Sequence, residues 1–164
     1  MNPKLRLLAA VLLALPLVAC VASDDGDHVT VVPEYEPNDA STNATKLNGG
    51  AGYYSFFGQC SAATSDSYDW FEVDAAGSGP IESTLHVFAQ EPGGPQGEAF
   101  TAAVTPVIAL SVMDAANAVI GEAPEVTPSA PARIDAVLPG AGTIRMKLTC
   151  PAVDAWYGGT IRLP

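Results

Sequence analysis

The chain has 164 residues, room for one domain of ordinary size and too short for a TIM-barrel or large Rossmann-type enzyme. Hydrophobic residues are 48% and charged residues 15%, which allows a packed core, while 15 glycines and 14 prolines interrupt the chain too often for long helices. With 18 acids against 7 bases, a formal charge of −11, it lacks the clustered Lys and Arg that nucleic-acid binding needs to displace counterions.

Residues 1–19 read as a lipoprotein signal peptide. Lys4 and Arg6 give a positive start, and Leu7 to Val18 form an apolar stretch too short to span a bilayer comfortably. The segment ends Leu17-Val18-Ala19-Cys20, which is similar to a bacterial lipobox with Cys20 as the acylated residue. Ordinary cleavage after Ala19 would instead leave Cys20 a thiol. Several acyl chains on Cys20 would anchor the chain to a membrane, since each buried methylene adds about 0.8 kcal/mol. Val21 rather than Asp follows the cysteine, which points to the outer membrane. Residues 20–33 are expected to be a tether: Ser23-Asp24-Asp25-Gly26-Asp27 is small, polar and acidic, and would be held off anionic headgroups. Residues 34–164 are the expected folded domain.

From Val29 onward, short apolar runs alternate with turn signals, the pattern of an all-β sandwich or barrel. The expected strands are Val29–Val32, Tyr53–Cys60, Tyr68–Asp74, Ile81–Ala89, Val107–Met113, Ala118–Glu122, Ala132–Val137, Thr143–Cys150 and Thr160–Leu163. Ile144, Met146 and Leu148 alternate with polar neighbours and should face inward. Punctuation comes from Asn48-Gly49-Gly50, Gly77-Ser78-Gly79-Pro80, Pro92-Gly93-Gly94-Pro95 and Pro139-Gly140-Ala141-Gly142. Asp114-Ala115-Ala116-Asn117 predicts a hairpin, and Gln90–Ala99 a long polar loop. Any helix, as at Ala102-Ala103-Val104, is a turn or two. The predicted fold is an antiparallel, jelly-roll-like β-sandwich of about eight to nine short strands.

With Cys20 acylated, Cys60 and Cys150 remain in an oxidising compartment and are expected to pair. Closing a loop of about 90 residues would stabilise the fold by roughly 4–5 kcal/mol in the chain-entropy model. Two buried free thiols are the competing reading.

Two acidic clusters stand out: Glu34-Tyr35-Glu36-Pro37-Asn38-Asp39, followed by Asn43-Ala44 and Leu47, and Asp66-Ser67-Tyr68-Asp69-Trp70-Phe71. The Glu-Pro-Asn-Asp opening, the Asn-Ala and Leu after it, and the Asp-Trp-Phe strand start resemble the bacterial pre-peptidase C-terminal domain family, small β-sandwiches of secreted enzymes and envelope proteins. The likeness runs from about Glu34 to Leu163. One departure is Ser67, where many members carry an acid; the extra acid here is Asp66. Relatives that bind collagen hold calcium at these two places. The resemblance therefore implies Ca²⁺ ligands at Glu34, Glu36, Asn38, Asp39, Asp66 and Asp69, and it alone brings the two segments together in space. The chemistry agrees in kind, because Ca²⁺ takes six to eight hard oxygen donors. Five carboxylates gathered without a cation would repel by about 4 kcal/mol per pair at 4 Å and an effective dielectric of 20. Two solvated acidic loops are the bland alternative.

Trp70, Trp156 and Tyr157 are the aromatics that could offer a binding surface, with Trp70 favoured because alternation places it opposite Phe71 and Val73. Catalytic motifs are absent: there is no Gly-x-Ser-x-Gly, His-Glu-x-x-His, Cys-x-x-Cys or phosphate-binding glycine loop. The sequence therefore reads as a non-catalytic envelope lipoprotein that binds an extracellular polysaccharide or protein. The alternative is a structural component that docks on an envelope protein complex.

Overall fold

The computed structural model describes residues 30–48, 52–63, 67–88 and 105–164. Cys20, tether residues 20–29, Asp66, the Gln90–Ala99 loop and Ala102–Val104 lie outside the described residues, while the last four residues of the expected tether, 30–33, form a strand. Among the described residues, ten strands form two five-stranded sheets: β1 (Thr30–Pro33), β2 (Thr45–Lys46), β3 (Tyr53–Cys60), β4 (Tyr68–Ala75), β5 (Gly79–Phe88), β6 (Ile108–Met113), β7 (Val119–Val126), β8 (Ala132–Leu138), β9 (Gly142–Thr149) and β10 (Ala155–Arg162).

One sheet runs β1-β3-β10-β5-β8 and the other β2-β4-β9-β6-β7. The eight strands β3 to β10 are all antiparallel, ordered 3-10-5-8 in one sheet and 4-9-6-7 in the other. This is jelly-roll wiring, as the sequence predicts. The two short strands before them add in parallel, β1 onto β3 and β2 onto β4.

Period-two patterning makes the core. Tyr54 and Phe56 of β3, Phe71 and Val73 of β4, Ile144, Met146 and Leu148 of β9, and Tyr157 and Ile161 of β10 are all buried between the sheets. Phe71 bridges two rings of the other sheet, with its centroid 4.6 Å from Phe56 and 6.2 Å from Tyr157, the latter edge-on at 86°. Ser83, also buried, is satisfied by donating its hydroxyl to the Thr160 carbonyl at 3.2 Å.

The predicted hairpin joins β6 to β7. Asp114 Oδ1 accepts from the Ala116 and Ala118 amides, both at 2.9 Å, and Asn117 takes the left-handed φ of 62° that Asn tolerates.

Three strands depart from expectation. β10 begins at Ala155, five residues before the predicted Thr160, because Gly158-Gly159 reads as a turn in sequence. Gly159 is instead an inward strand residue pressed against the Phe56 ring, where a Cβ would also meet the Thr84 carbonyl at 2.5 Å. β7 runs on to Val126 through Pro124, which an edge strand accommodates. β2, two residues long, is set by pairing rather than by any local signal.

Cys60 and Cys150 form a disulfide, Cα atoms 5.4 Å apart, joining the end of β3 in one sheet to the residue after β9 in the other. Replacing both by Ala should lower the unfolding free energy by about 4 kcal/mol, since the bridge closes a 90-residue separation. Urea titration of wild type and the double variant measures this; equal midpoints would mean that the bridge adds nothing.

Candidate metal centre

Between β1 and β2 the chain crosses from the edge of one sheet to the edge of the other. This strap, residues 34–44, closes the side of the sandwich where β3 and β4 lie. Backbone pairing fixes both ends: the Glu34 amide donates to the Phe57 carbonyl at 2.8 Å, and the Leu47 amide to the Glu72 carbonyl at 2.8 Å. The Glu36–Pro37 peptide bond within it is cis. Its middle is fastened by Thr45 Oγ1, which accepts from the Tyr35 amide at 3.1 Å, and by Glu36 Oε2, which accepts from the Asn38 amide at 3.0 Å.

Glu34 points into the sandwich. Its Oε2 accepts from the Gln59 amide at 2.9 Å and from the Tyr157 hydroxyl at 3.1 Å. Gly58 makes room for it, since a Cβ there would collide with both the Glu34 carboxylate and the Tyr157 hydroxyl. Asp69, the inward residue near the start of β4, is wholly buried beside Glu34 and lies 3.3 Å from the disulfide sulfur of Cys150. Those sulfurs carry no proton and cannot bond it, and being paired they are not metal ligands either.

One carboxylate oxygen from each of Glu34, Glu36 and Asp69 falls within 4.8 Å of the others. The side chain of buried Asn38 completes the group: its amide oxygen faces Glu34 Oε1 and Asp69 Oδ1, each at 3.2 Å. Three bare acceptors cannot bond one another. The amide turns so that its nitrogen donates to both acids, or a protonated carboxyl donates, or a cation sits among the oxygens. The donors are all oxygen, three carboxylates and an amide carbonyl, which fits a hard divalent cation and not a soft one.

Burial pushes Glu34 well above the ordinary carboxyl range, to about 10, helped by the neighbouring Asp69 and Glu36 and opposed by the Gln59 amide. Asp69 is raised for the same first reason, burial, although contacts with Glu34 and Tyr157 pull the other way. Tyr157 is also driven up by burial and by the two facing carboxylates.

The structure thus brings together Glu34, Glu36, Asn38 and Asp69 of the six residues that the sequence analysis proposed. Asp39 is exposed and lies outside the trio, although its charge reaches Asp69, and Asp66 falls outside the described residues. Tyr157 is not a surface aromatic as expected; it is wholly buried and supplies the hydroxyl that meets Glu34. Its neighbour Gly159 and the core residue Ile161 share its inward parity, a signal masked in sequence by the glycine pair. Trp70 is half-buried on the outer face of its sheet, with Lys147 Nζ 5.6 Å from its ring centre and 3.7 Å from that of Tyr68, so a cation already lies over this aromatic pair.

No family model matches the sequence, and no curated protein matches it. Among solved structures, the chain is similar to the pre-peptidase C-terminal domain of a collagenase from Bacillus anthracis at 10% identity and a TM-score of 0.45, over 84% of this chain and all of that one. It is also similar to PliG, a periplasmic inhibitor of g-type lysozyme from Aeromonas hydrophila, at 10% identity and a TM-score of 0.40, over 81% of this chain and 98% of that one. At those scores neither likeness says what this chain does.

Two outcomes follow from the buried acids. Glu34 has a folded value above its unfolded 4.5, so its share of stability is whole below about 4.5 and is lost as pH rises towards about 10. In chelator, the melting temperature should fall from pH 5 to pH 8, and Glu34→Gln should flatten that slope. A wild-type melt that rises over the same interval would contradict the assignment. Gly58→Ala should cost roughly 2–4 kcal/mol or prevent folding, read by urea unfolding, because two core polar groups must move.

Proposed function

We propose that this protein is a non-catalytic lipoprotein of the cell envelope whose β-sandwich is steadied by calcium and binds an extracellular polymer. One observation carries the calcium reading: Glu34, Glu36, Asn38 and Asp69 point four oxygen-bearing side chains at one another on a strap that joins both sheets. Glu34, Glu36, Asn38 and Asp69 would hold the ion, and the resemblance of the Glu36-Pro37-Asn38-Asp39 opening to calcium-holding relatives supports it. Its chemistry would be structural. It would neutralise carboxylates that otherwise repel and let Asp69 ionise while buried. Asp66 remains a candidate for the outer part of the coordination shell, while Asp39 stands apart from the carboxylate trio.

Export is supported by the Cys60–Cys150 disulfide, which persists in oxidising compartments, and lipid anchoring by the lipobox-like Leu17–Cys20. Outer-membrane placement rests on Val21. The absence of catalytic motifs in the sequence supports a binding role; His86 lies exposed on β5. Docking on an envelope protein complex is the alternative, favoured by the acidity of the domain.

Calcium at a hundredfold excess over its Kd should stabilise the fold by about 2.7 kcal/mol, a rise in melting temperature of roughly 10 °C for a domain this size. Scanning calorimetry in calcium and in chelator reads it. The rise should vanish in the Glu36→Ala, Asp69→Ala double variant. Superimposable wild-type melts in calcium and chelator would remove the metal from the reading.

A further inference from the structure

The outer face of the β3-β10-β5 region carries an aromatic surface beside the strap. Phe57 and Trp156 stack with ring centres 5.5 Å apart and planes at 17°. Phe88, on β5, is exposed and pairs in register with Trp156. Gly158 lies between Phe57 and Phe88: a Cβ there would stand 3.6 Å from one ring and 3.5 Å from the other, so the glycine keeps a gap between them. The strap makes the opposing wall. Pro33, Glu36, Pro37 and Asp39 line, together with the stacked pair, a groove of about 540 Å³, the size range of ligand pockets.

The groove pairs ring faces with acids and, among the described residues, is lined by no Lys or Arg. Both Glu36 and Asp39 are exposed, and Asp39 stands apart from the buried trio, free to meet a ligand. Ring faces attract cations, and a guanidinium lies flat on an indole while its N–H fork donates to a carboxylate. An anionic polymer would be repelled by a chain of charge −11. A neutral sugar could stack on the rings but would leave the facing carboxylates without a counter-charge.

We infer that this groove binds an arginine-bearing segment of a partner protein, with the guanidinium on Trp156 and its charge met by Asp39. The inference rests on the reading of the domain as a polymer-binding module and names protein as the polymer. It also moves the binding surface from Trp70 to the opposite sheet.

The test uses the full-length protein in detergent with calcium, and fluorescence anisotropy of labelled Arg-Gly-Arg-Gly-Arg, its Glu counterpart and labelled cellohexaose. The Arg peptide should bind, more weakly as salt rises, and neither other probe should compete. Trp156→Ala should weaken it about tenfold or more, Asp39→Asn severalfold, Trp70→Ala not at all, and Trp156→Phe should retain most of the affinity. Trp156→Phe also guards against loss through misfolding, checked by its melt. Equal Arg-peptide affinity in wild type and Trp156→Ala would mean diffuse charge attraction and would overturn the proposal, as would binding of cellohexaose in place of the peptide. Co-sedimentation of the same proteins with cell-envelope polymer separates the two readings. Wild type and Trp156→Ala that sediment equally discard the groove and keep the module, whereas no sedimentation of wild type discards the module itself.

Discussion

The Glu34 carboxylate, inserted from the strap into the side of the sandwich, is the contact on which the rest depends. It accepts from the β3 amide of Gln59 and the β10 hydroxyl of Tyr157, and it faces Asp69 on β4 of the other sheet. One side chain thereby touches both layers at the edge where β1 and β2 are added. The arrangement is costly in isolation, because two acids share a site from which water is largely excluded. Pairing at β1 and β2 holds the strap in place on either side, and the disulfide joins the two sheets beside Asp69.

The buried acids and the aromatic groove are two faces of one segment. Glu34 turns inward, while Glu36 reaches both the carboxylate cluster and the groove, and Asp39 lies on the groove side. Ordering of the strap and the shape of the groove are therefore coupled through three residues of local chain. A change that loosens Glu36 would be felt on both sides.

Much of this was legible in the residues. β9 announces itself because Ile144, Met146 and Leu148 alternate with polar residues at the period of a pleated strand, and β3 and β4 do so as short runs rich in aromatic residues. Asp114 and Asn117 mark their hairpin by chemistry that only a tight turn uses. The disulfide followed from compartment and count. By contrast, β10 was half hidden, since Gly158 and Gly159 look like punctuation until the Phe56 ring and the Thr84 carbonyl are seen to need the space that Gly159 leaves. The meeting of Glu34 with Asp69 could not be had from spacing, because it depends on which sheet edges the strap spans; a family likeness supplied it. The Phe57–Trp156 stack depends on the β3–β10 register, which no local pattern encodes. Tyr157 was misplaced for the same reason as β10: once the strand start was set too late, its inward parity was lost.

The parallel seating of β1 on β3 has a mechanical side. Chain drawn tight from before Thr30 would pull β1 lengthwise against β3, over Thr30 to Pro33, with the Glu34 amide bonded just beyond. The linkages there would resist together, in shear, and would not open one after another as a peeled strand does. Next in the path of that force stands the inserted carboxylate. A domain held by its leading end, and tugged by whatever it has caught, would take the strain first along this four-residue seam.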